Sequence, residues 1–326
     1  MAPKIVFVTQ FPAAADSARD LAPAGFDIVI ADAGSQAYNT AMTDAEYLVG
    51  FVDMLVGEEL YKNSPNLKLI QLLSAGYDRA DIVAAQRAGV PIANNGGANA
   101  IAVSEHAIML MLAVSRKLAV QHANVASGRW RGNDVPKLYE LHGKTLGIVG
   151  LGTIGKKAAR LAQAFGMNVI YYDIARLTED QEDALGVRFR LLHEVMAQAD
   201  LVSLHVPLND STHHLIGAEE LAAMKPEAVF VNTARGPVVD ELALHEALIS
   251  GGIAAAGLDV FDQEPPDSDN PLLALDNVIL TAHMAGPTQE SNQARVRNAF
   301  DNVQRVARGE EPLWVIPELD GKRPAC

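Results

Sequence analysis

Three side chains in the second half of this 326-residue chain have types suited to one reaction. Arg235 stands in Thr233-Ala234-Arg235-Gly236, at the end of a strand-like apolar run. Glu264 precedes a proline turn, Pro265-Pro266, and His283 follows the run from Val278 to Thr281. In open α/β sheets ligands bind beyond the carboxyl ends of the strands, so strand-end side chains are the ones to read for chemistry. A guanidinium can hold a carboxylate bidentately and polarise the adjacent carbonyl. An imidazole can hand a proton to a developing alkoxide. A carboxylate touching that imidazole would orient it and raise its pKa, keeping it protonated. Reduction of a 2-oxo acid needs these three groups, with hydride supplied by a nicotinamide.

A place for that nicotinamide is written into Leu146-Gly-Ile-Val-Gly150-Leu-Gly152-Thr153-Ile154-Gly155. A short apolar strand runs into Gly-x-Gly-x-x-Gly, and a helical pattern follows from Lys156 to Phe165. Gly150 allows the tight turn, Gly152 lets backbone approach a pyrophosphate, and Gly155 lets the helix pack closely on the strand. The helix N-terminus offers free N–H groups to the phosphates. A second apolar run ends on Asp173, where a carboxylate can accept from the ribose hydroxyls. That charge repels a 2′-phosphate and favours NAD over NADP, with Arg176 placed to soften the preference. His205-Val206-Pro207 and Thr233-Ala234 close later strands and belong to the same cofactor edge, His205 on the adenine side.

These groups need a scaffold. In the first hundred residues four apolar runs, beginning at Lys4, Phe26, Glu46 and Leu67, alternate with helical patterns, and Gly89-Val-Pro-Ile-Ala93 adds a short strand. Such alternation implies a parallel α/β sheet. Asn94-Asn-Gly-Gly-Ala-Asn99 then opens one long apolar helix expected from Ala100 to Ala123. Asn133-Asp-Val-Pro136 reads as a surface turn. From Thr145 the βα alternation resumes, giving a doubly wound sheet of about six strands across residues 100–287. The final amphipathic helix and tail return to the first unit, so the expected domains are 1–99 plus 288–326 and 100–287. The two crossings would make a hinge over a cleft.

Composition limits the function classes. A net charge of −14 argues against a nucleic-acid partner, which needs a basic face. The single cysteine, Cys326, leaves no disulfide framework and suits a reducing cytoplasm. The N-terminal apolar run is too short for a signal h-region, and no apolar stretch reaches the ~20 residues that span a bilayer. His213-His214 looks like a metal pair, but no cysteine or acidic set completes it, so no metal is expected. Glu105 and His106 read as structural or interfacial, and Phe51, Val52, Tyr77 and Trp130 as pocket walls, with simple packing an equal reading for Trp130.

The chain resembles the D-isomer-specific 2-hydroxyacid dehydrogenase family, essentially end to end. The resemblance rests on Gly150–Gly155 with Asp173, Val231-Asn-Thr-Ala-Arg-Gly236 with Val239-Asp240, and Gly257-Leu-Asp-Val-Phe-Asp-Gln-Glu-Pro265. Thr281-Ala-His-Met-Ala-Gly286 and Ser104-Glu105-His106 complete it. It implies two Rossmann/flavodoxin-like doubly wound domains, one for substrate and one for the dinucleotide, with the active-site cleft between them. It places the catalytic trio on Arg235, Glu264 and His283, and a carboxylate-binding backbone turn on Ala75-Gly76. Its cofactor contacts fall on Thr153, Ile154, Asp173, Val206, Thr233 and Asp259, the last facing the nicotinamide amide. It also implies a homodimer through the helix near 100–123. The chain departs from the family at Ala282 and at Gly96, where proline is common; neither change removes a functional group. Phosphite dehydrogenase, phosphoglycerate dehydrogenase and an NAD(H)-sensing corepressor are the other functions this resemblance admits. Formate dehydrogenases carry glutamine where Glu264 stands.

Overall fold

The computed structural model describes residues 2–131 and 137–320, so the expected turn at 133–136 and Cys326 lie outside the described residues. Two compact units divide the chain, one formed by residues up to Asn99 with those from Pro287 onward, the other by Ala100–Gly286.

The first unit begins β1 (Lys4–Val8), α1 (Pro12–Asp20), β2 (Asp27–Ala31), α2 (Gln36–Met42) and β3 (Tyr47–Gly50). It continues with α3 (Glu58–Asn63), β4 (Leu69–Leu72), α4 (Ile82–Ala88) and β5 (Ile92–Ala93). Its five strands are parallel in the order β2-β1-β3-β4-β5. Ile5, Val6 and Phe7 are all wholly buried, as are Tyr47, Leu48 and Val49. Successive residues of one strand point to opposite faces, so continuous apolar runs are what a sheet covered on both sides demands. Local signals start and stop the helices. Asp81 accepts from Ala84 N at 2.9 Å to cap α4, which ends on Gly89 in the left-handed region.

The second unit holds α5 (Ala100–Ser115), α6 (Leu118–Ala126), β6 (Thr145–Val149), α7 (Thr153–Ala164), β7 (Asn168–Tyr172), α8 (Glu179–Leu185) and β8 (Val187–Phe189). Then come α9 (Leu192–Gln198), β9 (Leu201–Leu204), α10 (Ala218–Ala222), β10 (Val229–Asn232), α11 (Glu241–Ile249), β11 (Ala255–Leu258) and β12 (Val278–Leu280). All seven strands are parallel, in the order β12-β11-β10-β9-β6-β7-β8. The strand beyond the expected six is β8, a three-residue edge strand. The order reverses at β6, which places the ligand crevice of such a sheet beyond the end of that strand.

The single helix expected to run to Ala123 is two. Lys117 turns into the left-handed region at φ 49°, and the Ser115 carbonyl accepts from Tyr139 N at 3.0 Å. α5 packs along α7 and is largely buried, whereas α6 has no buried residue.

The last helix, α12 (Gln289–Ala307), belongs to the first unit. Val296, Ala299, Phe300 and Val303 join Phe7, Val49 and Leu69 in one core. After it, Val315 bridges antiparallel to Ala93, and Ile316 N donates to Ile92 O at 3.0 Å. Among the described residues no helix is long and apolar enough to cross a membrane.

Candidate active site

The glycine loop is built by close approach. Gly150 sits at φ 96°, and a Cβ there would lie 2.8 Å from the His205 carbonyl. A Cβ on Gly155 would lie 2.3 Å from Gly150 O, so α7 can rest on the loop only without one. Gly152 is different, because the space its Cβ would enter is open. It also begins the twelve-residue α7 with no side-chain cap, which leaves first-turn N–H groups for an anion. Asp173 fastens this loop, its carboxylate accepting from Leu151 N at 2.7 Å and Ala175 N at 2.9 Å. Each oxygen keeps acceptor capacity for a ribose hydroxyl.

Two buried polar atoms on the same strand ends lack partners among the described residues, Thr233 Oγ1 and His205 Nδ1. The other His205 nitrogen meets Ser203 Oγ at 3.0 Å, and burial pushes the imidazole pKa down to about 4, so it is neutral. Orphaned buried groups are rare in native proteins. With the open Gly152, the uncapped α7 and Asp173, they fit a bound dinucleotide.

Arg235 leaves the end of β10 in extended backbone, held by Asn232. The Asn232 side chain donates to Arg235 O at 2.9 Å and accepts from Ala234 N at 2.9 Å. Further along the same edge, His283 Nδ1 and Glu264 Oε2 lie 2.7 Å apart. Phe261 N donates to the other Glu264 oxygen at 3.2 Å, fixing the carboxylate plane. Nδ1 is therefore engaged, and Nε2 is the nitrogen left for proton transfer. The pair lines a hollow of about 520 Å³ whose other walls include Phe261, Pro265 and Leu280.

His283 has φ 53°, a conformation that costs a non-glycine residue about 1–3 kcal/mol unless its surroundings impose it. Asp259 imposes it. The Asp259 carbonyl accepts from His283 N at 2.7 Å. Its carboxylate, wholly buried, accepts from Thr281 Oγ1 at 2.6 Å, Met284 N at 2.7 Å and Ala285 N at 2.9 Å. His106 on α5 adds to this network, its Nε2 lying 3.0 Å from Thr281 Oγ1. The threonine proton already goes to Asp259, so the imidazole must be the donor. Burial lowers the His106 pKa against the opposing charge of Asp259, leaving a neutral ring. The sequence offered Asp259 only as a nicotinamide contact and His106 only as structure or interface; their shared grip on the 281–285 loop joins residues far apart in the chain.

In the first unit, Ala75-Gly76 forms the turn after β4. Asn94 Nδ2 donates to Ala75 O at 3.3 Å and Ser74 Oγ to Gly76 O at 2.7 Å. No acceptor takes the Ala75 or Gly76 N–H among the described residues, which leaves both for a carboxylate. Of the expected pocket walls, Val52 is wholly buried in the core of this unit, whereas Phe51 and Trp130 are exposed.

Burial pushes the Glu264 carboxyl up, but the hydrogen bond and charge of His283, the Phe261 N–H and the Arg235 charge outweigh it and hold it below 4.5. A carboxyl held down in the folded state contributes stability that is present above the unfolded pKa and lost as pH falls through the folded one. Thermal melts of Glu264→Gln should therefore fall below wild type at about pH 7 and converge with it as pH falls below 4.5. Melts parallel to wild type at every pH would contradict this pairing.

Residues 108–285 match the family model described as D-isomer specific 2-hydroxyacid dehydrogenase, NAD binding domain. A glyoxylate reductase of Korarchaeum cryptofilum is 39% identical over 272 residues, 82% of each chain. A D-3-phosphoglycerate dehydrogenase of Methanocaldococcus jannaschii is 41% identical over 268 residues, 82% of this chain but 51% of that protein. Among solved structures, a glyoxylate reductase from Paecilomyes thermophila superposes with a TM-score of 0.84 at 31% identity, over 98% of this chain and 99% of that one. The chain belongs to the D-isomer specific 2-hydroxyacid dehydrogenase family.

Proposed function

We propose that this protein reduces a small 2-oxo acid to the D-2-hydroxy acid with NADH, reversibly, and that residues 1–99 with 288–326 form its substrate domain and residues 100–287 its dinucleotide-binding domain. The observation that carries the reading is the Glu264–His283 pair, with Nδ1 engaged at 2.7 Å and Nε2 left to act. Gly150, Gly152, Thr153, Ile154 and Gly155 would hold the pyrophosphate, Asp173 the ribose, and His205–Pro207 with Thr233-Ala234 the remainder. A nicotinamide held by these residues would supply the hydride for the carbonyl carbon. Arg235 binds the substrate carboxylate and polarises the carbonyl, and the Ala75 and Gly76 N–H groups hold the carboxylate. His283 Nε2 gives its proton to the carbonyl oxygen as charge builds there, and Glu264 carries the compensating negative charge.

NAD is the favoured cofactor. Arg176, the nearest candidate for a 2′-phosphate, is engaged elsewhere: its Nε meets the buried Glu182 at 3.1 Å and its guanidinium stacks 5.1 Å over Phe189. Asp173→Ala should shift the kcat/KM ratio of NADH to NADPH toward NADPH by at least about tenfold, on the order of 1.4 kcal/mol. An unchanged ratio would remove Asp173 from cofactor choice.

The exposed Leu118, Val120 and Val125 of α6 support a homodimer, since an apolar helix with no buried residue calls for a partner surface. The single cysteine suits a reducing compartment, which we take to be the cytoplasm.

The deciding experiment is an NADH-oxidation panel of glyoxylate, hydroxypyruvate, pyruvate and phenylpyruvate, with phosphite plus NAD as a separate arm. Turnover of at least one 2-oxo acid is expected. Tight NADH binding without turnover of any of them would point to a sensing protein instead.

A further inference from the structure

Arg295, on α12 of the first unit, is 5% exposed. Burial brings its pKa down only to about 10, so it stays charged at neutral pH. Charged side chains are almost never this buried unless paired. Arg295 nevertheless has no carboxylate partner among the described residues. Nη1 donates to the neutral Asn292 Oδ1 at 3.1 Å, and Nε is buried with no acceptor. The guanidinium lies 5.6 Å from the centre of the Phe51 ring, on the segment that follows β3.

Its surroundings belong to the carboxyl edge of the first sheet. One turn along α12, Asn298 Nδ2 donates to Asn95 O at 2.9 Å, and Asn95 N donates to Ser74 O at 3.0 Å. Ser74 begins the Ala75-Gly76 turn, so the unpaired cation and the open N–H groups share one rim. A purely packing residue at this place would be better as methionine, and a stabilising ion pair would bring its own acid. A buried guanidinium with an unfilled donor is instead suited to a carboxylate or a phosphate arriving with a ligand.

We propose that Arg295 recognises a second anionic group on the substrate, so that the preferred 2-oxo acids carry a carboxylate or a phosphate beyond the 2-oxo acid head. This rests on the 2-oxo acid reading above. It makes Arg295 a specificity residue, distinct from Arg235, which serves the head group common to every such substrate.

The test is steady-state NADH oxidation by the full chain, comparing wild type with Arg295→Met and Arg295→Lys. Glyoxylate and 2-oxobutyrate carry one anionic group, oxaloacetate and 2-oxoglutarate a second carboxylate, and 3-phosphohydroxypyruvate a phosphate. Wild type should prefer at least one dianionic acid over 2-oxobutyrate by roughly ten- to a hundredfold in kcat/KM, the range of one charge-assisted contact. Arg295→Met should erase that preference mainly through KM while leaving the singly charged acids near wild type, and Arg295→Lys should restore part of it. The arm that loses most names the group. An equal loss on every acid, or no dianion preference in wild type, overturns the inference. If wild type turns over none of the acids, the 2-oxo acid reading itself has failed. A measurement without turnover guards the fold: inorganic phosphate should raise the Tm of wild type more than that of Arg295→Met, and equal shifts overturn the proposal. The variant itself should melt no lower than wild type, because it removes an uncompensated buried cation.

Discussion

His283→Ala should lower kcat/KM for reduction of the best 2-oxo acid by about 10²–10⁴-fold, the range attached to a positioned proton donor. Arg235→Ala should fall at least as far if, as proposed, Arg235 both grips the carboxylate and polarises the carbonyl. Neither substitution should change NADH affinity more than a few-fold, since the glycine loop and Asp173 are held by other contacts. NADH fluorescence titration beside the absorbance assay separates the two quantities. Arg235→Lys should resemble Ala more than wild type, because an ammonium cannot offer the planar fork. Combining His283→Ala with Glu264→Gln should cost little beyond His283→Ala alone, since Glu264 acts through the imidazole 2.7 Å away. Unchanged kcat/KM in both single variants would refute the assignment of the trio.

What could be read from the chain beforehand was whatever is decided locally. Gly155 is needed by the Gly150 carbonyl five residues away and Gly150 by its own positive φ, so their spacing describes the loop, although the His205 carbonyl that also bars a Cβ at Gly150 is remote in the chain. The meeting of Glu264 with His283 was readable because both follow strands of one parallel sheet at its carboxyl edge, where ligands of such sheets bind. The failures share the opposite cause. β8 is three residues long and follows the strongly acidic α8, so neither shows a hydrophobic period. The break between α5 and α6 depends on Lys117 adopting a left-handed conformation in an apolar stretch that otherwise continues. The network of His106, Asp259 and Thr281 joins a helix, a strand end and a loop that no spacing rule connects. Arg295 falls in the amphipathic pattern of α12 as one more polar residue; only its burial sets it apart.

Asp259→Ala is expected to be among the most damaging single changes in the second unit. It leaves Thr281 Oγ1–H, Met284 N and Ala285 N without their acceptor, at about 1–3 kcal/mol for each donor that stays buried. The loss to stability should therefore exceed about 3 kcal/mol, read as a drop in the denaturant midpoint. Asp259→Asn is the sharper instrument, because an amide keeps one acceptor oxygen and nearly the same shape. It should fold, yet its NH₂ must face a backbone N–H or the threonine hydroxyl, and the 281–285 loop should loosen. Because His283 is held at φ 53° by that loop, the cost should appear in kcat, with NADH affinity little changed. Thr281→Val, which deletes one donor and frees His106 Nε2, should give a smaller effect of the same kind. A direct contact from Asp259 to the nicotinamide amide would give the reverse pattern in Asp259→Asn, weakened NADH binding with kcat preserved at saturation. The ratio of the two effects thus decides whether this carboxylate serves the cofactor or the histidine, and its complete burial, with three donors already in place, argues for the histidine.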